Sequence, residues 1–295
     1  MVTLSGLYRR TDSGSYDHFG INFMQIFSIS FDPRDHRVFY TTNINGCIQT
    51  KDGGKTWRTS TSWDMTEAKD VCVDVNSPDD VYLALPDGIA VSNDRGGTWT
   101  RRENGLPARG KYAQTIKVDR TKAGRVLAGC ESGIYLTENG AKSWRKVQAA
   151  TETVTELQQS PHDPKLWLAT SQKEGVLISR DGGRTWKRIE ALSKEHVWYS
   201  VAFDPTQPTR WAVCGWHYGV VTSEDAGKTW TTRNQGLPDA PQGFRVSVDP
   251  DNGRLYANLW RRGLYASDDF GRTWRFAGIE GGTVYNFAYV PKGAK

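Results

Sequence analysis

Short runs of alternating hydrophobic and polar residues follow one another along the chain, separated by turn-forming residues. The first complete set is IFSISFD (26–32), RVFYTT (37–42), GCIQTK (46–51) and TWRTS (56–60). Alternation with a period of two predicts β-strands, and the Gly, Asp and Asn residues between the runs predict tight turns. We name the four strands A, B, C and D in chain order. No segment shows helical periodicity, so the pattern predicts an all-β protein.

The same set of strands recurs along the chain, and each set carries the motif Ser/Thr-x-Asp-x-Gly-x-Thr-Trp. Five copies keep the motif, at 50–57, 92–99, 179–186, 223–230 and 267–274. A sixth copy at 137–144 has Asn139 in place of Asp and Ala141 in place of Gly. The closing tryptophans are 42, 45, 42, 44 and 44 residues apart. A four-stranded unit of about 40–45 residues is typical of a β-propeller blade.

Each motif has the chemistry of a hairpin turn between strands C and D. The Asp carboxylate can accept N–H groups within the turn, Gly supplies a positive φ, and Trp can fill the gap to the neighbouring sheet. The motif resembles the Asp box (BNR repeat) of sialidase-like β-propellers, and the resemblance extends over nearly the whole chain. It implies one propeller domain over residues 1–295, in which the boxes serve the structure.

The two ends of the chain predict a seventh blade. Residues 6–16 (GLYRRTDSGSY) read as strand C, an eroded box around Asp12 and Gly14, and the start of strand D. Residues 283–290 (TVYNFAYV) read as strand A, and residues 1–5 are left as a short strand B. N- and C-terminal strands in one blade would close the ring and remove open sheet edges. A six-bladed ring with loose ends is the alternative.

Composition and charge exclude several classes of protein. The net charge of +5 comes from 38 basic and 33 acidic residues without a basic run, which argues against a nucleic-acid partner. No apolar run approaches the roughly 18 residues of a membrane span. The first residues do not resemble a signal peptide, although one could have been removed. The four cysteines lack metal-ligand spacing and are expected to be free, mostly buried thiols.

Localisation stays open between two interpretations. The family resemblance implies a secreted or periplasmic protein, whereas unpaired cysteines are compatible with the cytoplasm. We expect a monomer with no cofactor and no metal site.

The strand order places the Asp boxes on one face of the ring, and the B–C loops and D-to-A links on the other. Six tryptophans close the boxes, and Trp167 and Trp211 lie in B strands, where we expect them in the core. The remaining four all fall on the face opposite the boxes. They are Trp63, Trp198, Trp216 and Trp260.

Two B–C loops on consecutive blades carry rings and basic groups, at 216–218 (WHY) and 260–262 (WRR). Exposed rings on a concave face suit stacking on sugars or contact with a partner protein. Two of the five histidines, His196 and His217, map to the same face. The predicted binding residues are Trp63, Trp198, Tyr199, Trp216, His217, Tyr218, Arg245, Trp260, Arg261 and Tyr285.

The A strands are expected to line the central channel. Aligning them before the A–B turn gives the column Ser28, Cys72, Thr115, Glu156, Ser200, Arg245 and Asn286. Glu156 and Arg245 stand out because long charged side chains are seldom placed inside unless they are paired or functional. Ion pairs across blades and a functional site are the two interpretations. Glycoside hydrolysis needs two carboxylates, so the candidate catalytic residues are Glu156 with Asp70 or Glu174.

Two classes of function follow. The first is a carbohydrate-binding or carbohydrate-processing propeller, of glycoside hydrolase or polysaccharide lyase type, with a glycan or oligosaccharide ligand on the face opposite the boxes. The chain lacks the Arg-Ile-Pro segment of sialidases, which argues against sialidase activity. The alternative is a non-catalytic propeller that binds a protein or peptide, similar to sortilin-type receptors or photosystem assembly factors. A fold of this kind hosts many functions, so the site must decide between them.

Overall fold

The computed structural model of the protein describes residues 1–11, 13–20, 22 and 25–290. These residues form 28 β-strands in seven four-stranded antiparallel sheets, without a helix among them. Neighbouring sheets pack through their inner strands, and the last inner strand contacts the first. The sheets are therefore the blades of a closed ring, and the prediction of a seven-bladed all-β propeller is confirmed.

The strands of the first four blades, from the channel outward, are as follows. Blade 1 has β4 (Ser28–Asp32), β5 (Asp35–Asn43), β6 (Gly46–Thr50) and β7 (Arg58–Thr59); blade 2 has β8 (Asp70–Val73), β9 (Val81–Leu85), β10 (Gly88–Ser92) and β11 (Thr100–Arg101); blade 3 has β12 (Ala113–Val118), β13 (Val126–Cys130), β14 (Gly133–Thr137) and β15 (Arg145–Ala149); blade 4 has β16 (Val154–Gln159), β17 (Trp167–Ser171), β18 (Val176–Ser179) and β19 (Lys187–Arg188).

The strands of the last three blades follow the same order. Blade 5 has β20 (Trp198–Phe203), β21 (Trp211–Gly215), β22 (Gly219–Ser223) and β23 (Thr231–Thr232); blade 6 has β24 (Gly243–Val248), β25 (Leu255–Leu259), β26 (Gly263–Ser267) and β27 (Arg275–Gly278); blade 7 has β28 (Val284–Asn286), β1 (Val2–Thr3), β2 (Gly6–Arg10) and β3 (Tyr16–Phe19).

Blade 7 joins the two ends of the chain. Strand β1 lies between the C-terminal strand β28 and strand β2, and Val2 pairs with both Asn286 and Leu7. The six-bladed alternative is therefore wrong, because the terminal strands complete a sheet instead of hanging loose. Of the eroded box predicted in this blade, Asp12 lies outside the described residues, and Gly14 has the expected positive φ of 88°.

The Asp boxes are hairpin turns held by their own side chains. In blade 1, both oxygens of Asp52 accept hydrogen bonds from Thr56, one from its amide at 2.9 Å and one from its hydroxyl at 2.6 Å. These bonds lower the pKa of Asp52 to about 2, and the bond from the Thr56 hydroxyl contributes most. Gly54 has a φ of 86° and accepts a bond from the Trp57 indole at 2.9 Å. In the degenerate copy, Asn139 accepts the amide of Ser143 at 3.0 Å and Ala141 has a φ of 62°, but the Trp144 indole donates to the carbonyl of Arg102.

The hydrophobic core lies between the blades. The middle strands of blades 2 to 6 are almost wholly buried, and Trp167 and Trp211 are in this core, as predicted. Three of the four cysteines are buried, Cys72 is half-buried, and all four are free thiols. Within the described part of the chain, no helix is long and apolar enough to cross a membrane.

Candidate functional site

A cavity of about 340 Å³ opens at the channel mouth where the inner strands begin. The boxes join the third and fourth strands of a blade, so the antiparallel order puts them at the other end of the channel. The lining residues come from all seven blades. They are Phe27, Lys69, Asp70, Tyr112, Gln114, Thr115, Lys117, Thr153, Thr155, Glu156, Gln172, Tyr199, Phe244, Arg245, Trp260, Tyr285 and Asn286.

The channel column differs from the prediction in blade 2. Asp70, and not Cys72, pairs with strand B at the position that Ser28 occupies in blade 1, and Asp70 lines the cavity. Asp32 and Asp74 at the A–B turns each follow this position by four residues. A shift of two residues leaves each side chain on the same face of the strand, so alternation alone does not reveal the error.

Asp70 binds three blades together. Its carboxylate accepts hydrogen bonds from the hydroxyl of Ser28 at 2.6 Å and from the backbone N–H of Ile116 at 2.9 Å. The ammonium of Lys117 lies 2.7 Å from the same carboxylate, and Thr115 adds a bond at 3.1 Å. Burial is the largest single influence and disfavours the charge of Lys117, but the combined attraction of nearby groups, with Asp70 first among them, raises the pKa of Lys117. The oxygens of Asp70 are thus already engaged by the ring.

Glu156 makes a similar contact between blades 4 and 5. One carboxylate oxygen accepts the backbone N–H of Val201 at 3.0 Å, and the other accepts the side-chain amide of Gln158 at 3.0 Å. Val201 belongs to the inner strand of the next blade and is buried. The contact is a hydrogen bond that a backbone amide donates to a carboxylate, whereas the sequence had suggested an ion pair as the structural alternative.

Glu174 lies apart from the other two candidate catalytic residues. Its carboxylate accepts hydrogen bonds from the amide and hydroxyl of Thr151, at 3.1 and 3.0 Å. Among the described residues that line the cavity, Glu174 is absent. The structure therefore brings Glu156 and Asp70 to one cavity and leaves Glu174 on the loops above blade 4.

Arg245 links blades 5, 6 and 7. Its Nε donates to the carbonyl of Tyr285 at 2.7 Å, and its Nη1 donates to the carbonyls of Phe244 at 2.9 Å and Tyr199 at 3.3 Å. The guanidinium lies over the Phe244 ring, 4.5 Å from the centroid. Nη2 has no hydrogen-bond partner among the described residues.

Aromatic rings cover the side of the cavity formed by blades 5, 6, 7 and 1. Phe244 contacts Trp260 at 4.9 Å and both Tyr199 and Tyr285 at 5.4 Å between centroids. Trp216 packs behind them, 6.3 Å from Trp260. Burial raises the pKa of the Tyr199 and Tyr285 phenols. Three of the predicted binding residues, Tyr199, Trp260 and Tyr285, thus meet at one wall, with Arg245 and the half-buried Trp216 beside them.

The other predicted rings are placed differently. Trp198 is only 1% exposed and packs in the core of blades 4 and 5, so the expectation of an exposed ring there is wrong. Trp198 is the first residue of the inner strand of blade 5, and its side chain faces blade 4. The Trp198 indole N–H donates to the carbonyl of Ser193 at 2.9 Å. Tyr218 stacks on His196 at 3.5 Å, outside the residues that line the cavity.

Three predicted residues lie on exposed loops of the same face. Trp63 is 89% exposed and is not among the described lining residues of the cavity. His217 and Arg261 are exposed and have positive φ values of 63° and 55° at equivalent positions of their loops. Arg261 lies 5.8 Å from the Trp260 ring.

Sequence reasoning missed Lys69. Its ammonium lies 5.1 Å from the Phe27 ring and 5.9 Å from the Tyr112 ring, at the edge of the cavity. With the corrected register, Lys69 directly precedes the channel position of its inner strand. Other blades have an aromatic residue at this place: Phe27, Tyr199, Phe244 and Tyr285. In blades 1, 2, 3, 5 and 6 an aspartate lies five residues after this position, at the A–B turn, and this spacing is the signal that could have found Lys69.

The family comparisons cover the two halves of the chain. Residues 12–173 match the family model described as photosynthesis system II assembly factor YCF48, which is more than half of the 295 residues. Residues 174–289 match the model described as sortilin, neurotensin receptor 3. Both are BNR-repeat families, in agreement with the Asp boxes. Among curated proteins, no sequence matches this chain.

Several solved structures share the architecture. A GH74 enzyme of Niastella koreensis is 16% identical with a TM-score of 0.76, over 94% of this chain and 51% of that chain. An ancestral GH74 enzyme is 16% identical with a TM-score of 0.72, over 88% and 38%. A structure of YCF48 bound to a D1 peptide is 20% identical with a TM-score of 0.62, over 85% and 81%.

At these identities the likeness shows the propeller fold alone. The chain spans only 38% and 51% of the length of the two GH74 enzymes.

Proposed function

The chain belongs to the BNR-repeat family of photosynthesis system II assembly factor YCF48, and on this premise we propose that it is a non-catalytic propeller that binds a peptide segment of a partner protein. The segment would lie across the channel mouth, against the aromatic wall formed by Tyr199, Phe244, Trp260 and Tyr285. The observation that carries the proposal is the state of the two carboxylates in the cavity. Both accept backbone N–H groups of the neighbouring blade.

Acid–base catalysis of glycoside cleavage requires one carboxyl group to give a proton and a second carboxylate to attack or to activate water. Asp70 has four hydrogen-bond donors from neighbouring blades around it, including the ammonium of Lys117. Glu156 holds the N–H of Val201 and the amide of Gln158. Turning either group toward a substrate would leave a backbone donor between the blades unpaired, which is costly.

The wall itself suits a peptide. Aromatic side chains supply large contact areas at a low cost in conformational entropy, and they are enriched at the centres of binding sites. The rings support one another edge to face, so the wall is formed before a ligand arrives. YCF48, which shares the fold, has been solved with a peptide bound. These points support a preorganised peptide site.

Selection from a phage-displayed library of random linear peptides tests the proposal. The full chain should retain peptides, and Trp260→Ala should weaken a selected peptide at least tenfold. Phe276→Ala is the matched control, because Phe276 is 50% exposed on the outer strand of the same blade, away from the cavity. Failure to select any peptide would refute the proposal, as would equal losses in both variants.

A glycan ligand is the second candidate, and the exposed indole of Trp63 favours it. Rings with a free face stack on sugars, and this ring lies on the same face as the cavity. A glycan array, together with a screen for hydrolase and lyase products, distinguishes the two candidates. Polysaccharide cleavage that is lost in Glu156→Gln would support the enzyme and overturn the non-catalytic proposal.

A further inference from the structure

The cavity wall has a cation at each end of a row of rings. Lys69 lies 5.1 Å from the Phe27 ring, and Phe27 contacts Tyr285 edge to face at 5.3 Å. Tyr285 contacts Phe244 at 5.4 Å, and the Arg245 guanidinium lies 4.5 Å over Phe244. The row thus reads cation, ring, ring, ring, cation, and it crosses blades 2, 1, 7 and 6.

Both cations keep capacity for a ligand. The ammonium of Lys69 has three donor hydrogens, and its ionic partner among the described residues is Glu67, at 3.3 Å. The Glu67 side chain is 60% exposed, so this pair is weak and open to exchange. Arg245 uses Nε and Nη1 for backbone carbonyls and leaves Nη2 without a partner among the described residues.

The acidic groups of the cavity do not oppose an anion at these two points. Asp70 is neutralised by Lys117 at 2.7 Å, and Glu156 is directed at the backbone of blade 5. The charged lining residues are Lys69, Lys117, Arg245, Asp70 and Glu156, which leaves an excess of positive charge. A ligand with carboxylates would therefore find complementary charge at both ends of an apolar surface.

From this arrangement we propose that the site selects an acidic peptide segment in which two Asp or Glu residues flank an aromatic or aliphatic residue. The proposal rests on the proposed function and specifies its ligand. One carboxylate pairs with Lys69, the other with Nη2 of Arg245, and the apolar residue lies on the rings of Phe27, Tyr285 and Phe244. In an extended peptide, alternate side chains face the same way with a rise of about 3.3 Å per residue, so the two acids belong several residues apart.

A phage-displayed library of random linear octapeptides tests the inference with a separate readout, the sequences of the peptides that the full chain retains. We expect enrichment of Asp or Glu at two positions with an apolar residue between them. A labelled synthetic octapeptide with that pattern should bind, by fluorescence anisotropy, about tenfold or more tightly than its Gln counterpart. Its affinity should fall as the NaCl concentration rises from 50 to 500 mM.

Three variants assign the preference to the cavity. Lys69→Gln should weaken the acidic octapeptide about tenfold and leave the Gln counterpart unchanged. Lys69→Arg should keep the preference, because it keeps the charge. Lys173→Gln is the matched control, since Lys173 is an exposed lysine on a loop of the same face and lies outside the cavity lining. Its binding of both peptides should equal that of the wild type, and thermal melts establish that each variant is folded.

The other outcomes refute either this inference alone or the proposed function together with it. Peptides that bind the wild type without an acidic preference leave the proposed function standing and refute this inference. An equal loss of both octapeptides in Lys69→Gln also refutes it, because the lysine would then be acting through the structure. If the library yields no binder, or if only acidic oligosaccharides bind, the proposed function and this inference fall together.

Discussion

Removal of the Asp70 carboxylate should open the ring where blades 1, 2 and 3 meet. Asp70 accepts bonds from Ser28 of blade 1, and from Thr115, Ile116 and Lys117 of blade 3. Asp70→Ala removes all of these acceptors at once. The N–H of Ile116 then loses its partner in a buried strand, and the Lys117 ammonium loses its ion-pair partner.

The expected loss is large for one substitution. Breaking a buried ion pair by removing one partner costs about 3–5 kcal/mol, because a charge stays behind without compensation. For a chain of this size we expect the melting temperature to fall by roughly 6–15 °C. Asp70→Asn should cost less, since the amide oxygen can still accept one of the bonds. The double variant with Asp70→Ala and Lys117→Met should recover part of the loss, because it also removes the unpaired ammonium.

Calorimetry and urea denaturation at pH 7 measure these changes. Glu195→Ala is the control, because its carboxylate is exposed and forms no hydrogen bond or ion pair with the described residues. It should melt with the wild type. The assay compares melting temperatures and urea midpoints at an unchanged m value, which separates a change in stability from a change in the unfolded state.

Two results would contradict the reasoning. If Asp70→Ala melts with the wild type and only a ligand-dependent signal is lost, then Asp70 serves the site and does not hold the blades together. An equal effect of the single and double variants would also show that Lys117 is not its partner.

Three further outcomes follow from the fold. Trp198→Ala should lower the free energy of unfolding by about 3–5 kcal/mol, since the indole fills the core, whereas Trp63→Ala should leave stability unchanged in the same urea titration. Val284→Asp should lower the melting temperature far more than Val290→Asp, because Val284 is buried in the closing blade and Val290 is exposed; equal effects would contradict closure through β28. Acid should destabilise the boxes: their aspartates, Asp52 and Asp225 among them, have a pKa of about 2 against an ordinary 3.8, so their contribution is complete above about pH 4 and is lost as the pH falls toward 2. The double variant of Asp52→Asn and Asp225→Asn should lose less stability than the wild type over that interval, as measured by urea midpoints.

The aromatic wall was largely predictable from the sequence. Tyr199, Trp260 and Tyr285 were found because the repeat assigns every residue to a strand or a loop, and the strand order assigns each loop to a face. Phe244 lies at the same strand position as Tyr199 and Tyr285 and completes the wall. The fate of Trp198 was not predictable, since the start of an inner strand can face the channel or the neighbouring blade, and only packing against Trp211 and Val213 decides which.

The sequence by itself determined the architecture, because an Asp box is a local structure. Thr50, Asp52, Gly54 and Thr56 bond to one another within one turn, so their spacing identifies the hairpin without knowledge of the rest. A period of 42 to 45 residues then repeats that hairpin around an axis. Even the closing blade was visible as strand patterns at the two ends.

Only the tertiary structure decided what the channel residues do. Asp70 meets Ile116, and Glu156 meets Val201, across 46 and 45 residues, between strands that belong to different sheets. Such contacts depend on the register of neighbouring blades, and alternation fixes that register only to within two residues. Because of this two-residue uncertainty, Lys69 was missed, and Cys72 was assigned to the channel position that Asp70 occupies. Side chains that meet between repeats are set by packing in three dimensions, and a pattern within each repeat cannot contain them.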